Sequence, residues 1–399
     1  MIKLIRSDQL LPGMYIHDLN CGWIDHPFAF NQFRVRDQAT VNKILAYGIR
    51  ELYIDTTQGL DVKDARTLEE VSSELDKKLF QVAREANPLP PTSIEEEIVV
   101  AREVHHEANK VVHTILSDVR LGKQIEVERM EPVVERITDS IFRNKDALTS
   151  LGRIKRKDDY TFQHSVSVCT LLVSFAHAMG FAREVVLEMG LGGLLHDTGK
   201  MRVPDSVLNK PGALTDAEFL VMKSHAAIGR DILRETPGIS ETAILVAGQH
   251  HERFDGTGYP DKLKGSEISE VGQMASIVDV YDALTSNRVY HKGMEPTDAL
   301  KKLFEWSKFH FNEELVQQFI RVIGIYPTGS LVSLESGLLA VVVKPGEQSL
   351  LKPLVRIIFD PRTGFVSPRD VDLADRHSTE KVVGHELPDK WKINPFKYL

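Results

Sequence analysis

The sequence predicts a mainly α-helical protein with a small α+β unit at one end and a β-rich appendage at the other. Three observations carry this. Apolar residues recur at three-and-four spacing from Ser93 to Ile325. Before them, the first ~60 residues switch between short strand-like and helix-like patterns. After them, three β-branched runs are parted by glycine and proline.

Taken in order, Met14-Tyr15-Ile16-His17 reads as a strand, Val41 to Leu45 as a short helix ended by Gly48, and Glu51 to Asp55 as a second strand. Residues 62–86 are charged and helical. Pro88, Pro90 and Pro91 then break the pattern, and Ser93 with Glu96 forms a capping-box signature for the next helix. That helix has one apolar stripe: Ile98, Ala101, Val104, Ala108, Val111, Val112 and Ile115. Further helices are marked by Phe162 to Ala176 and by Val185 to Leu195. The runs 330–334, 339–343 and 354–358 read as strands. The expected organisation is residues 1–86, 93–328 and 329–399, with the part from Ser93 onward able to fold by itself.

Composition narrows the function. Hydrophobic residues at 42% and charged residues at 27% are ordinary for a globular protein, and a net charge of −8 leaves no basic footprint for polymeric nucleic acid. A local basic pocket for a nucleotide remains compatible with that charge. Cys21 and Cys169 are too few and too far apart for a disulfide framework or a zinc ribbon. The first residues lack a signal-peptide core and no apolar run is long enough to span a membrane, so a cytoplasmic location is expected.

Within the helical region His164, His196, Asp197, His225, His250, His251 and Asp279 stand out. Neutral imidazoles with a carboxylate able to bridge two cations suit a pair of divalent transition metals around a phosphate ester. A lone histidine is more often structural or exposed, and His17, His26, His105, His106, His113, His177, His310, His377 and His385 are read so. His196-Asp197 differs, because Leu194 and Leu195 bury the helix end that delivers it, and a buried Asp197 needs a partner that keeps it ionised.

The pair His196-Asp197 with Thr198-Gly199-Lys200, and the segment from His250-His251 through Gly258-Tyr259-Pro260, resemble the HD-GYP family, bacterial metal-dependent phosphodiesterases that degrade cyclic di-GMP. The resemblance covers residues 150–310. It implies a helical HD-type bundle in which His164, His196, Asp197 and Asp279 hold one metal. Asp197 then bridges to a second metal held by His225, His250 and His251. Iron or manganese is the implied choice, although zinc, nickel or cobalt also suits these ligands. Asp197 and Lys200 would be catalytic, with Lys200 on the scissile phosphate. Arg288 matches a phosphate-holding arginine, and Arg253 and Tyr259 are carried over to the substrate side. The family's usual proline is Val289 here and its next basic position is His291, followed by Lys292, so these two basic residues are candidates only. Some members place a glutamate four residues before the first histidine and bind a third metal. Tyr160 stands there, and a phenol with an ordinary pKa near ~10 replaces a carboxylate poorly. A two-metal site is therefore expected.

The activity so implied is opening of cyclic di-GMP to pGpG, with further hydrolysis to GMP left open. Two alternatives stand beside it: a hydrolase of another cyclic dinucleotide, and a silent adaptor that binds the messenger or a diguanylate cyclase. Diguanylate cyclase (GGDEF) proteins are implied partners through the GYP region. Leu11 to Tyr15 and Gly48 to Asp55 resemble the domain of unknown function that often precedes HD-GYP domains, expected to serve regulation or homodimerisation.

Overall fold

A computed structural model describes residues 1–22, 26, 28, 30–84, 90–153, 160–286, 293–346 and 349–399, with the backbone alone at 160. At the N-terminal end β1 (Ile2–Arg6), β2 (Tyr15–Asp18), β3 (Phe33–Arg34) and β4 (Glu51–Asp55) form an antiparallel sheet in the order β1-β4-β2-β3. Helix α1 (Gln38–Ala46) begins where the Asp37 side chain accepts from the Thr40 amide. It buries Val41 and Ile44 against Ile16, Leu52 and Ile54. The sequence marks β2 and β4 but not β1. In β1 the adjacent Leu4 and Ile5 are both buried: Ile5 faces the sheet core, while Leu4 packs with Tyr53 and Val71 of α2 (Leu68–Val82). A strand covered on both faces does not alternate.

Helix α3 (Ile94–Arg120) opens with the expected capping box of Ser93 and Glu96 and lays its stripe against α4 (Glu131–Gly152). Helix α4 is broken at Asn144 (φ −159°, ψ 102°), whose Nδ2 donates to Thr92 O and whose Oδ1 accepts from the Asp146 amide. The bundle continues with α5 (Tyr160–Ala178), α6 (Arg183–Leu195), α7 (Asp205–Leu208), α8 (Asp216–Arg234) and α9 (Glu241–Gln249). It is completed by α10 (Glu270–Thr285), α11 (Pro296–Trp306) and α12 (Glu313–Ile323). Helices α5, α6, α9 and α10 are mostly apolar or small on every side and lie in the centre, so polar residues there are conspicuous.

The C-terminal sheet has β5 (Leu331–Leu334), β6 (Leu339–Lys344), β7 (Leu354–Asp360), β8 (Gly364–Asp372) and β9 (Val382–His385), antiparallel in the order β8-β7-β6-β5-β9. One face (Val332, Ala340, Val342, Val355) joins the helical core. The other (Leu331, Leu339, Val341) is covered by Trp391, Ile393 and Tyr398. Strands β8 and β9 are additions to the expected set. They lie at the two edges, are largely exposed, and β8 carries Pro368, which an edge strand tolerates.

The N-terminal unit is fastened to the bundle by a buried polar network. Glu305 on α11 accepts from Tyr53 Oη (2.6 Å) and Asn20 Nδ2 (3.0 Å), while Asn20 Oδ1 accepts from Lys302 Nζ and Trp306 Nε1, both at 3.0 Å. A second contact reaches α8, where Asp216 accepts from Lys43 Nζ and Tyr47 Oη, both at 2.8 Å.

Candidate metal centre

Helix α6 ends at Leu195. His196 is the last residue with helical dihedrals, and Asp197 (φ −94°, ψ 9°) turns into a 3-10 segment at Thr198–Arg202. Adjacent helical residues diverge by ~100°, and this exit from the helix turns both side chains toward one point. Gly199 is required by the close approach of α8: a Cβ there would lie 1.9 Å from the His225 carbonyl oxygen and 2.6 Å from the Gly229 nitrogen. That contact brings His225 to the end of α6. His164 comes from α5, His250 and His251 from the end of α9, and Asp279 from α10.

Asp197 lies between two histidine pairs. Its Oδ2 is 3.4 Å from His196 Nε2 and 3.7 Å from His164 Nε2, whereas its Oδ1 is 3.5 Å from His225 Nε2 and 3.9 Å from His250 Nε2. Ligand atoms of His164, His196 and Asp279 fall within 4.8 Å of one another, and so do those of His225, His250 and His251. All seven expected residues thus meet at one place. Asp279 borders both groups: Oδ1 is 2.9 Å from His164 Nε2, and Oδ2 is 3.8 Å from His251 Nδ1.

The far nitrogen is anchored in four of the five rings. His196, His225 and His250 approach the carbonyls of Gly193, Met222 and Ala247 through Nδ1 at 2.7–2.8 Å. A carbonyl only accepts, so Nδ1 carries the proton and Nε2 presents a bare lone pair. His164 differs, since its Nδ1 donates to Asp282 Oδ2 at 2.6 Å. Asp282 is a functional residue that the sequence reasoning missed. Its signal was a second aspartate three positions after Asp279, on the same face of a buried helix. Such carboxylates orient a ligand imidazole and raise its basicity.

Burial pushes His225 down to about 4 and His250 down to about 3, and holds His251 and His310 well below the ordinary imidazole range. His196 moves the other way: burial opposes its charge, but Asp197 and Asp279 outweigh it. Burial pushes Asp197 and Asp279 up, but His196 and Lys200 around the first and the hydrogen bond with His164 at the second hold both well below the carboxylate range. An imidazole depressed by folding takes up its proton more readily in the unfolded chain, below about pH 6.5. Its stabilising contribution is complete above that pH and is lost as the pH falls toward the folded value. With His177 also lowered by burial and His385 raised by Asp298, five depressed rings against two raised decide the sign. Metal-free protein is therefore expected to melt at progressively lower temperature as the pH drops from about 7.5 to about 5.5. A melting temperature that rises on acidification would contradict the burial of neutral imidazoles here.

The loop after His251 is held from inside. Glu252, buried, accepts from the Asp261 amide (2.7 Å) and the Leu263 amide (3.0 Å). A Cβ on Gly258 would meet Arg253 N at 2.3 Å, so only glycine lets the loop fold back so tightly. Tyr259 then lies over His251 with ring centroids 4.6 Å apart, and Lys223 Nζ is 5.0 Å from the Tyr259 ring. Glu252 lies inside the segment from His250 to Pro260, where the sequence alone assigns it no role. Lys200 Nζ donates to Asp197 Oδ2 at 2.6 Å, at the edge of the centre. Arg288, His291 and Lys292 lie outside the described residues, as does the Tyr160 side chain. Of the histidines read as structural, His177 stacks on Phe142, His113 packs on Phe162 and His385 pairs with Asp298.

Residues 139–315 match the HD domain family, and residues 2–130 match a domain of unknown function (DUF3391). The chain is 38% identical over 396 residues to the cyclic di-GMP phosphodiesterase PA4108 of Pseudomonas aeruginosa, covering 98% of this chain and 94% of that one. The chain belongs to the HD-GYP family. The chain is also similar to 3′3′-cGAMP-specific phosphodiesterase 1 of Vibrio cholerae, 31% identical over 196 residues, covering 49% of this chain and 42% of the relative. Among solved structures, Bd1817, an HDG"Y"P protein from Bdellovibrio bacteriovorus, aligns with a TM-score of 0.47 at 20% identity, covering 80% of this chain and 98% of that one. Among the described residues no helix is long and apolar enough to cross a membrane.

Proposed function

We propose that this HD-GYP chain is a cytoplasmic, metal-dependent phosphodiesterase that hydrolyses cyclic di-GMP to pGpG. The observation that carries the reading is Asp197, which turns one carboxylate oxygen toward each histidine pair. The donor set fits a cation pair. His196 Nε2, Asp197 Oδ1 and Asp279 Oδ2 are buried without a hydrogen-bond partner, a costly arrangement unless cations complete it. His164, His196, Asp197 and Asp279 would hold one metal, and Asp197, His225, His250 and His251 the other, with iron or manganese preferred. When bound, such a pair supplies Lewis-acid polarisation and a nucleophile usable at neutral pH.

The chain's own groups do the rest. Backbone carbonyls and Asp282 fix His196, His225, His250 and His164 so that their Nε2 atoms converge. Lys200 and Arg288 hold the non-bridging phosphate oxygens as charge builds on them. Arg253, Tyr259, His291 and Lys292 belong to the substrate side, where the Tyr259 ring offers a stacking face. Water's oxygen is added to phosphorus and the 3′ oxygen leaves as a hydroxyl, which linearises the ring. The loop from Arg253 to Lys264 is the proposed face for a diguanylate cyclase partner, and the N-terminal unit is proposed to serve regulation or homodimerisation.

Metal-replete protein incubated separately with cyclic di-GMP and 3′3′-cGAMP should convert the first faster. Preference for 3′3′-cGAMP would transfer the reading to that substrate, and inertness toward both would leave an adaptor. Elemental analysis of anaerobically prepared protein should give about two transition metals per chain, the number this ligand set can hold. Three well-occupied metals would refute the reading of Tyr160. Lys200→Ala and Arg288→Ala should keep the metals while lowering kcat/KM. Each loses a charge-assisted hydrogen bond of about 1.5–3 kcal/mol, a tenfold to hundredfold effect. Unchanged kcat/KM in both would return them to the solvated surface.

A further inference from the structure

Behind the metal centre the bundle encloses a cavity of about 260 Å³ between α4, α5, α10 and the C-terminal appendage. The break at Asn144 re-aims the last turns of α4 and sets Lys145, Thr149 and Arg153 along one wall. Ser167, Thr170 and Ser174 of α5 form another wall, and Thr328 and Phe396 close the far end. Ser174 is ten residues beyond His164, roughly 15 Å along the helix axis at the usual rise. The cavity thus starts beside Asp282 and Ser167, next to the metal centre, and runs away from it toward Ser174 and Phe396.

Its lining has an unusual balance of donors. The hydroxyls of Ser150, Ser167, Thr170 and Ser174 donate to helix carbonyls and present only lone pairs. Both acidic groups are engaged: Asp146 accepts from Lys145 Nζ at 2.8 Å, and Asp282 accepts from His164 Nδ1 at 2.6 Å. Arg153 is the exception. Its Nη1 donates to Thr328 O (3.0 Å) and Ser330 Oγ (3.4 Å), its guanidinium lies 5.9 Å from the Phe396 ring, and among the described residues no carboxylate pairs with it. Thr328 Oγ1 is buried with no partner, and Tyr281 lines the same cavity. Burial works against the charge of Arg153 and the nearby Glu295 only partly offsets it, and a planar fork of N–H donors suits an oxyanion.

We propose that this cavity is a second binding site, separate from the metal centre, for a small phosphate-bearing anion held by Arg153, Tyr281 and Thr328. The volume equals that of about nine liquid waters, enough for phosphate with a small substituent and too little for a cyclic dinucleotide. Asp282 lines the cavity and also holds His164, so an occupant reaches the first metal position through one side chain.

Calorimetric titration of the intact, metal-loaded protein with inorganic phosphate tests this, with Arg153→Met as the comparison because it keeps volume and removes charge. The wild type should take up one more equivalent of phosphate than the variant, whatever the metal centre itself binds in both. Thr149→Leu, at a half-buried position of the same wall, keeps the guanidinium and narrows the cavity. It should also lose the extra equivalent, and it covers the case in which Arg153→Met fails to fold. A parallel titration with ribose 5-phosphate separates the sources: tighter binding than phosphate assigns a monoester, and weaker binding assigns the free ion. Equal phosphate uptake by wild type and both folded variants overturns the proposal and leaves Arg153 as a structural tie to Thr328 and Ser330. Equal uptake by wild type and Thr149→Leu alone, with Arg153→Met unfolded, overturns it as well.

Discussion

Asp197→Ala is expected to lose measurable hydrolysis and to lose metal from both positions together, whereas His196→Ala or His251→Ala should empty one position preferentially. Asp197 directs one oxygen to each of two histidine pairs, at 3.4 and 3.7 Å on one side and 3.5 and 3.9 Å on the other, whereas Asp279 reaches the second group through His251 alone. Its backbone has already left the helix, so alanine should disturb the fold little. Lewis-acid stabilisation is worth several kcal/mol, which corresponds to roughly a 10³-fold loss or more in kcat. Elemental analysis beside a turnover assay checks both halves. Near-normal turnover in Asp197→Ala would sink the dinuclear reading, and retention of one full metal equivalent would show that the positions are independent.

The centre was legible because its chemistry needs residue types that a buried helix otherwise avoids. Five histidines and two aspartates within apolar helices leave few innocent explanations, and all seven meet in the fold. The layer behind them was harder to see. Asp282 orients His164, and Glu252 holds the loop by accepting two amides, yet in sequence each is one more acidic residue among 57. Their role is fixed by a partner 118 residues away in the first case and by a turn geometry in the second. Gly199 stands in the motif without a stated reason, and the reason, the backbone of α8 against it, is a tertiary contact that no local pattern records. Strand β1 was hidden because both its faces are covered, while β8 and β9 were hidden because they lie exposed at sheet edges. Periodicity reports a strand only when its two faces meet different surroundings.

Glu305→Ala is expected to destabilise the whole chain by about 3–5 kcal/mol, the usual consequence of removing one partner from a buried charged network. Glu305 is 4% exposed and accepts from Tyr53 and Asn20 of the N-terminal unit. Burial opposes the charge on its neighbour Lys302, but Asp18 and Glu305 outweigh it and hold that lysine above its ordinary value. Alanine would leave the Tyr53 hydroxyl without its acceptor and Lys302 with Asp18 and Asn20 Oδ1. Tyr53→Phe removes only one donor to a charged acceptor and should lose less, about 1.5–3 kcal/mol. Urea unfolding of the two variants and their combination measures the coupling, since contacting groups in one network are not additive. The network also bears on a chain that begins at Ser93. Such a chain lacks Asp18, Asn20 and Tyr53 together and uncovers Trp306, now 5% exposed. It should therefore be less stable than Glu305→Ala, even though none of the seven metal-site residues lies upstream of Ser93. A loss under about 1 kcal/mol in Glu305→Ala, within the range of an exposed ion pair, would mean that water already reaches this interface and that the N-terminal unit is held elsewhere.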